Sequence, residues 1–151
     1  GAVFPYAEHR LYFEREVLPR LDRERRWIGP VSGARKRRVI AAARCLIVAS
    51  TAEETSCLVA MEALASGTPV VALRSGALSD LIDHERTGLL VDRPEQLPEA
   101  LGAVDRIAPQ ECRRVAESRF SLRKTLSRYL EVYRRIAAGE PLSLLGARAA
   151  Q

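Results

Sequence analysis

Short, wholly apolar runs recur along the chain and are separated by longer segments of mixed polarity. The runs at residues 45–49, 69–73 and 88–91 carry no charged side chain, a pattern typical of parallel strands that are buried on both faces. A further apolar stretch at residues 26–31 ends around a Gly-Pro pair and also predicts a strand. The pattern therefore predicts four strands.

The segments between and after these runs show helical periodicity. Helices are predicted at residues 6–21, 32–44, 77–84, 94–106, 109–119 and 121–137, with one more running from a cap at Thr55 or Ser56 to Gly67. The last helix has the clearest apolar stripe, formed by Leu122, Leu126, Tyr129, Leu130, Tyr133 and Ile136. Ser121 is its predicted cap, and residues 139–151, which lack a strong pattern, are expected to fray.

Alternation of strands with helices defines the fold class. Strands separated by helices of about ten residues predict right-handed crossovers and a doubly wound parallel sheet, an α/β fold with helices on its faces. The chain has 151 residues, which is about one domain's worth. We therefore expect one domain over residues 1–138 and a flexible tail at 139–151.

Charge and composition narrow the classes of protein. The net charge is +5, and Lys36 and Lys124 are the only lysines among 24 basic residues, so arginine dominates and anionic partners become candidates. Compositional bias of the genome explains the same excess equally well. Aromatic residues make up only 5% of the chain, which disfavours nucleic-acid binding. No apolar run is long enough to cross a bilayer, and the expected location is the cytoplasm, with membrane association left open.

Cysteine and histidine residues carry no recognisable metal or nucleophile motif. Cys45, Cys57 and Cys112 are odd in number and scattered, which predicts three reduced thiols and no zinc site. Cys57 sits at a predicted helix N-terminus, where a thiol pKa falls, but no histidine is near it in sequence, so nucleophilic catalysis is disfavoured. His9 and His84 are solitary, and both are interpreted as structural or exposed.

The turn after residues 45–49 is the first place to look for a ligand, because open parallel sheets bind ligands at the carboxyl ends of their strands. It leads into a helix whose first amides, at Cys57, Leu58 and Val59, lack intrahelical acceptors and could hold a phosphate. Glu54 and Glu62 could bracket a ligand over that helix start. The alternative is that Glu54 only complements the helix dipole and Glu62 is a solvated helix residue.

The residues around this pair form a longer string. Glu54 is followed after seven residues by Glu62, then by Ala-Leu-Ala-Ser-Gly-Thr-Pro-Val-Val-Ala, and later by Gly76, Asp80 and Thr-Gly-Leu-Leu-Val. The string resembles the donor-binding domain of family 4 (group 1) retaining glycosyltransferases, which have the GT-B fold. The resemblance covers residues 26–91 tightly and the remaining helices loosely.

The resemblance implies a fold and a set of site residues. The fold would be the Rossmann-like C-terminal domain of GT-B. Glu54 would face the donor sugar as the catalytic group, and Glu62 would bond the ribose hydroxyls. The helix start at Ser56, with the amides of residues 57–59, would hold the distal phosphate. The stretch from Gly29 to Val31 would lie near the base.

The chain departs from the family pattern at several positions. Ser56 and Cys57 replace a Phe-Gly pair, Asp80 replaces a glutamate, and Glu85 replaces a glycine. The arginine and lysine that clamp the diphosphate in this family would lie upstream of anything in these residues, and residues 1–3 resemble the end of that domain's second strand. We therefore expect a partial C-terminal domain that lacks its first strands.

The expected function is transfer of a sugar from a nucleotide-sugar donor to an acceptor hydroxyl with retention, for which this chain supplies the donor half. The expected partners are the nucleotide-sugar and an N-terminal acceptor-binding domain of the same enzyme, and the fragment alone is expected to be inactive. No cofactor or metal is expected, since no Asp-x-Asp triplet occurs. The open alternative is a non-catalytic nucleotide-binding or docking fragment of a split or degenerate glycosyltransferase.

Two other interpretations use the same residues. A glycosidase acid and base pair would need a sugar cleft between the carboxyls of Glu54 and Glu62, and the phosphate-friendly helix start between them argues against it. The basic run at residues 35–38 could bind a membrane surface rich in anionic lipid. A solvated helix face explains it as well, because no aromatic residues interleave.

Overall fold

A computed structural model describes residues 6–140, which divide into two compact units at Val39 and Ile40. In the first unit, helix α1 (Ala7–Tyr12) continues as a π-helical turn (Phe13–Val17) and a 3₁₀ turn (Leu18–Arg20). The helix predicted at residues 6–21 is therefore confirmed. Helix α2 (Gly33–Ala41) starts in this unit and ends at the beginning of the next.

The strand predicted at residues 26–31 is wrong, because this stretch forms no regular structure. Gly29 has a φ of +71°, outside the extended region, and Pro30 has no N–H to donate to a ladder. Residues 6–39 also contain no strand with which it could pair. Trp27 packs against Phe13 instead, with the two rings centred 4.9 Å apart, and Ile28 is 46% exposed.

The second unit holds a three-stranded parallel sheet. Strands β1 (Leu46–Val48), β2 (Val70–Leu73) and β3 (Gly88–Val91) lie in that order, with Leu46 opposite Val70 and Val70 opposite Gly88. Every residue of β2 and β3 is buried. The three predicted apolar runs of this unit are therefore strands, and the predicted class, an α/β fold with a parallel sheet, is confirmed.

Helices connect and follow these strands. They are α3 (Leu58–Ser66), α4 (Leu78–Leu81), α5 (Leu97–Ala103), α6 (Pro109–Phe120) and α7 (Leu122–Ala137), with 3₁₀ turns at Pro94–Gln96 and Val104–Arg106. α3 ends at Gly67, as predicted. α4 is shorter than predicted, since Ile82 is already extended and the Asp83 N–H donates to Thr87 Oγ1 (3.0 Å), turning the chain toward β3.

The core of this unit has two sides. On one side α3, α4 and α6 pack on the sheet around Leu64, Leu78 and Cys112, all of them fully buried. On the other side α5 packs around Val71 and Val104. Strands β2 and β3 are therefore covered on both faces, as predicted. The predicted burial of β1 on both faces is wrong, because β1 lies at the edge of this three-stranded sheet and its Ile47 is 48% exposed.

Charged side chains tie α6 to the α4–β3 connection. The Arg119 Nη1 donates to Asp83 Oδ1 (2.8 Å), and Arg86 donates to Glu111 Oε1 (2.7 Å). Arg114 and Arg86 beside the Glu111 carboxyl lower its pKa to about 2. In the same connection His84 Nδ1 accepts the Leu90 N–H (3.0 Å), which gives His84 a structural role.

Helix α7 has the predicted bounds, but none of its residues is buried within the described chain. Its Ser121 cap position is confirmed by an extended backbone, although the Ser121 side chain makes no capping hydrogen bond. Residues 141–151, which include most of the predicted tail, and residues 1–3 lie outside the described residues. Within residues 6–140, no helix combines the length and apolar character needed to span a membrane.

Candidate functional site

Two loops meet at the carboxyl ends of β1 and β2. The first runs from residue 49 to residue 57, and the second runs from residue 74 to residue 77. The Ala77 N–H donates to the Glu54 carbonyl oxygen (2.7 Å), and Ser75 Oγ donates to the Ala52 carbonyl oxygen (3.2 Å). The second loop therefore supports the backbone of the first.

Gly76 makes this contact sterically possible. Its φ is +47°, and a Cβ at this position would lie 2.3 Å from the carbonyl oxygen of Glu54 and 2.9 Å from its nitrogen. The two backbones approach so closely that no other residue fits without movement of the loop. In the sequence Gly76 stands out only as part of the family pattern, and its distance along the chain from Glu54 gives no sign of this contact.

The start of α3 differs from the prediction. Cys57, not Thr55 or Ser56, occupies the N-cap position, and no side chain caps the helix. Cys57 has φ 37° and ψ 64° in the left-handed region, and its carbonyl oxygen accepts the Ala60 N–H at 3.0 Å. Since the helix begins at Leu58, Thr55 and Ser56 precede the N-cap position, and neither side chain caps the helix.

The first amides of α3 are available to a ligand. Among the described residues, no backbone carbonyl accepts a hydrogen bond from the N–H of Leu58 or Val59. Leu58 and Val59 are 67% and 40% exposed, so solvent reaches the first turn of α3. Exposed, unpaired amides at the positive end of a helix dipole attract an anionic group.

Glu54 and Glu62 flank this helix start along the chain. Glu54 is half-buried in the loop, and Glu62 is half-buried on the second turn of α3, where its carbonyl oxygen accepts the Ser66 hydroxyl (2.8 Å). The predicted site residues 54, 56–59 and 62 therefore belong to one loop and helix start. Gly29 and Val31 lie in irregular chain of the first unit, and their predicted place near a base stays a prediction.

Cys57 is not activated by its position at the helix N-terminus. Burial raises the pKa of the Cys57 thiol, and the negative charge of Glu54 raises it further. The expected lowering of this pKa by the helix start is therefore outweighed. The thiol stays protonated near neutral pH, which argues against nucleophilic chemistry and leaves the helix start free of a competing thiolate.

Two cavities of the second unit lie away from this loop. One of about 350 Å³ is lined by Arg44, Gly67 and Arg113 among others, next to Pro69 at the amino end of β2. A second of about 350 Å³ lies between β3 and α5. Neither of these is lined by residues 49–57. No group of histidine, cysteine or acidic side chains within residues 6–140 is arranged to hold a metal ion.

Known proteins resemble this chain in sequence and in structure. A D-inositol 3-phosphate glycosyltransferase of Saccharomonospora viridis is 37% identical over 125 residues, which are 78% of this chain and 29% of that protein. Sucrose-phosphate synthase of Thermosynechococcus elongatus matches in structure with a TM-score of 0.74 and 27% identity, over 93% of this chain and 38% of that one. An Anabaena protein crystallised in complex with UDP matches with a TM-score of 0.59 and 23% identity, over 63% and 28%.

The chain spans less than a third of the length of these curated relatives. Its solved neighbours share the GT-B type of fold. The model of the family described as "Glycosyl transferases group 1" matches residues 7–104, more than half of the chain and all of the segment from β1 to β3. On the strength of that match, the chain belongs to the group 1 glycosyltransferases.

Proposed function

We propose that this chain is the donor-binding part of a retaining glycosyltransferase of family 4, which transfers a sugar from a nucleotide-sugar to an acceptor hydroxyl. The observation that carries the proposal is the exposed start of α3. Its Leu58 and Val59 amides are unpaired within the described chain, and an acidic residue stands on either side. All of these residues fall in the segment that matches the family model.

Each group would have a separate task. The amides of residues 57–59 would bind the distal phosphate and stabilise the charge that develops on it as it departs. Glu62 would accept hydrogen bonds from the ribose hydroxyls. Glu54 would face the sugar, where a carboxylate stabilises an oxocarbenium-like transition state. Gly29 and Val31 would lie near the base.

The acceptor-binding site would belong to another domain of the same enzyme. The curated relatives are more than three times as long as the part that this chain matches, and we propose that an N-terminal acceptor-binding domain completes the enzyme. Residues 1–151 alone would then transfer no sugar and bind a nucleotide weakly. A few contacts leave little free energy once the entropy of association is subtracted.

Titration of the ¹⁵N-labelled chain with UDP, GDP and ADP tests the proposal. The amide resonances of Leu58 and Val59 should shift with one of these nucleotides. Glu62→Ala should weaken that binding by about 1 to 3 kcal/mol, because the ribose hydroxyls lose their acceptor. Glu117→Ala, which removes an exposed carboxylate from α6, is the matched control and should leave affinity unchanged.

Two results would contradict the proposal. Shifts confined to residues far from the start of α3 would remove the phosphate assignment. Equal affinities for the wild type and Glu62→Ala would remove the ribose assignment. If no nucleotide binds at all, the alternative of a non-catalytic docking fragment becomes the better description of this chain.

A further inference from the structure

Gly76 lies against the backbone of Glu54 where the two loops meet at the sheet edge. The backbone of the β2–α4 loop lies so near that a Cβ on Gly76 would fall 2.3 Å from the Glu54 carbonyl oxygen. Two hydrogen bonds join the same loops, one from Ala77 to Glu54 and one from Ser75 to Ala52. The three contacts fix the loop just before the start of α3.

These contacts matter because the loop has few stabilising interactions within itself. Among the described residues, the stretch from Ser50 to Ser56 contains no regular secondary structure, and most of its side chains are exposed. An acid that stabilises a transition state must be held in place before the reaction, since reorganisation at the moment of transfer costs rate. A glutamate on an unsupported loop would spend part of its time away from the donor.

We propose that Gly76 is a positioning residue for the donor site. By allowing the β2–α4 loop to lie against the Glu54 backbone, it fixes where the Glu54 carboxylate stands relative to the sugar of a bound nucleotide-sugar. The inference rests on the proposed function, because Glu54 faces the sugar only there. Gly76 would contact no donor atom itself and would act only through Glu54.

Hydrogen exchange of the ligand-free chain tests the contact directly. In Gly76→Ala, the Ala77 amide loses its place on the Glu54 carbonyl and should exchange about tenfold faster, the equivalent of one lost hydrogen bond. Gly139→Ala is the matched control, since its φ of +77° carries the same backbone strain with nothing within 4 Å of the new Cβ. It should leave Ala77 exchange unchanged.

Gly76→Asn distinguishes the steric clash of a new Cβ with Glu54 from the strain of a left-handed backbone at residue 76. Asparagine tolerates the left-handed region better than alanine but brings the same Cβ. If the close approach to Glu54 is what matters, Gly76→Asn and Gly76→Ala should speed Ala77 exchange equally. Protection retained in Gly76→Asn would overturn the steric argument. Should both variants fail to fold, Ser75→Ala removes only the bond to Ala52 and should give a smaller, measurable acceleration of the same amides.

Donor binding then tests the action through Glu54. The probes are UDP-glucose, UDP-N-acetylglucosamine and GDP-mannose, each measured against its own free nucleotide. Gly76→Ala should lower the affinity for the preferred nucleotide-sugar several-fold more than that for the nucleotide. In a Glu54→Gln background the same change should add little, because the group it positions has already been altered.

The outcomes separate the two claims. Additive losses in the double variant, or equal losses for nucleotide and nucleotide-sugar, would overturn the positioning role while leaving nucleotide binding intact. Absence of binding by every nucleotide and nucleotide-sugar to the wild type would overturn the proposed function and with it the donor role of Gly76. Unchanged Ala77 exchange in Gly76→Ala would overturn the positioning role whatever binds.

Discussion

Helices α3 and α7 are both apolar along one or more sides, yet the chain uses them in opposite ways. In α3, Ala60, Ala63 and Leu64 have no exposed surface, and the helix lies between the sheet and α6. In α7, the stripe that begins at Leu122 is exposed throughout, from 46% at Ile136 to 72% at Leu122. The helix with the more regular amphipathic pattern buries nothing within the described chain.

The difference shows that periodicity predicts a helix and not its partner. An amphipathic α-helix forms where its apolar stripe can be shielded from water. Which surface shields the stripe depends on the tertiary structure and cannot be read from the periodicity. α3 instead has apolar residues on nearly every side, the pattern of a helix inside a layered fold. It is this buried helix whose first turn forms the candidate site, so the stability of the core and the geometry of the site are linked.

The largest effect is expected where α3 meets the sheet. Leu64→Ala removes a side chain with no exposed surface, leaving a cavity between α3 and its neighbours. We expect the free energy of unfolding to fall by about 2 to 5 kcal/mol, as for other fully buried leucines. Urea unfolding followed by circular dichroism measures it. A loss below about 1 kcal/mol would mean that α3 is not held as the structure shows.

The sequence alone predicted most of this core correctly. The runs that became β2 and β3 are apolar without interruption and are buried on both faces, as predicted. The run that became β1 is equally apolar and forms a strand, but its Ile47 is 48% exposed. The run at residues 26–31 carried the same local signal and failed, because a strand also needs a neighbour and a backbone free of Gly29 and Pro30 in these conformations. Local pattern is sufficient only where the tertiary partner is present.

The role of the start of α3 stays a prediction, and the contacts that support it were not predicted from the sequence. The helix start with Glu54 and Glu62 follows from strand order and spacing, which sequence shows. The left-handed Cys57 and the close approach of Gly76 do not, because both depend on where another loop lies in space. Cysteine rarely adopts the left-handed region, so no propensity rule would place Cys57 at the N-cap instead of the serine beside it.

An intermediate, pH-dependent effect is expected where α6 is tied to the connection that leads into β3. Glu111 has a pKa of about 2 beside Arg114 and Arg86, against an ordinary value of 4.5. Its stabilising contribution is therefore complete above about pH 5 and is lost as the pH falls from 4.5 toward 2. Glu111→Gln should lower the melting temperature at pH 7, and the gap from wild type should close by pH 2.

The control for that prediction is Glu117→Gln on the same helix. Glu117 is exposed, and its replacement should leave the melting temperature close to that of the wild type over the same pH range. Added salt should narrow the gap for Glu111→Gln at pH 7, since both arginines are about half exposed. A gap for Glu111→Gln that stayed constant down to pH 2 would show that the ion pairs do not produce it.

The smallest effect is expected in α7. Leu126→Ala exchanges one good helix former for another, so it tests only the packing of a side chain that is 52% exposed. The free energy of unfolding of this chain should change by less than about 0.5 kcal/mol, against several times that for Leu64→Ala. Urea unfolding of both variants under one set of conditions makes the comparison direct. A loss at Leu126 similar to that at Leu64 would show that the α7 stripe is buried in solution, and the contrast between the two helices would disappear.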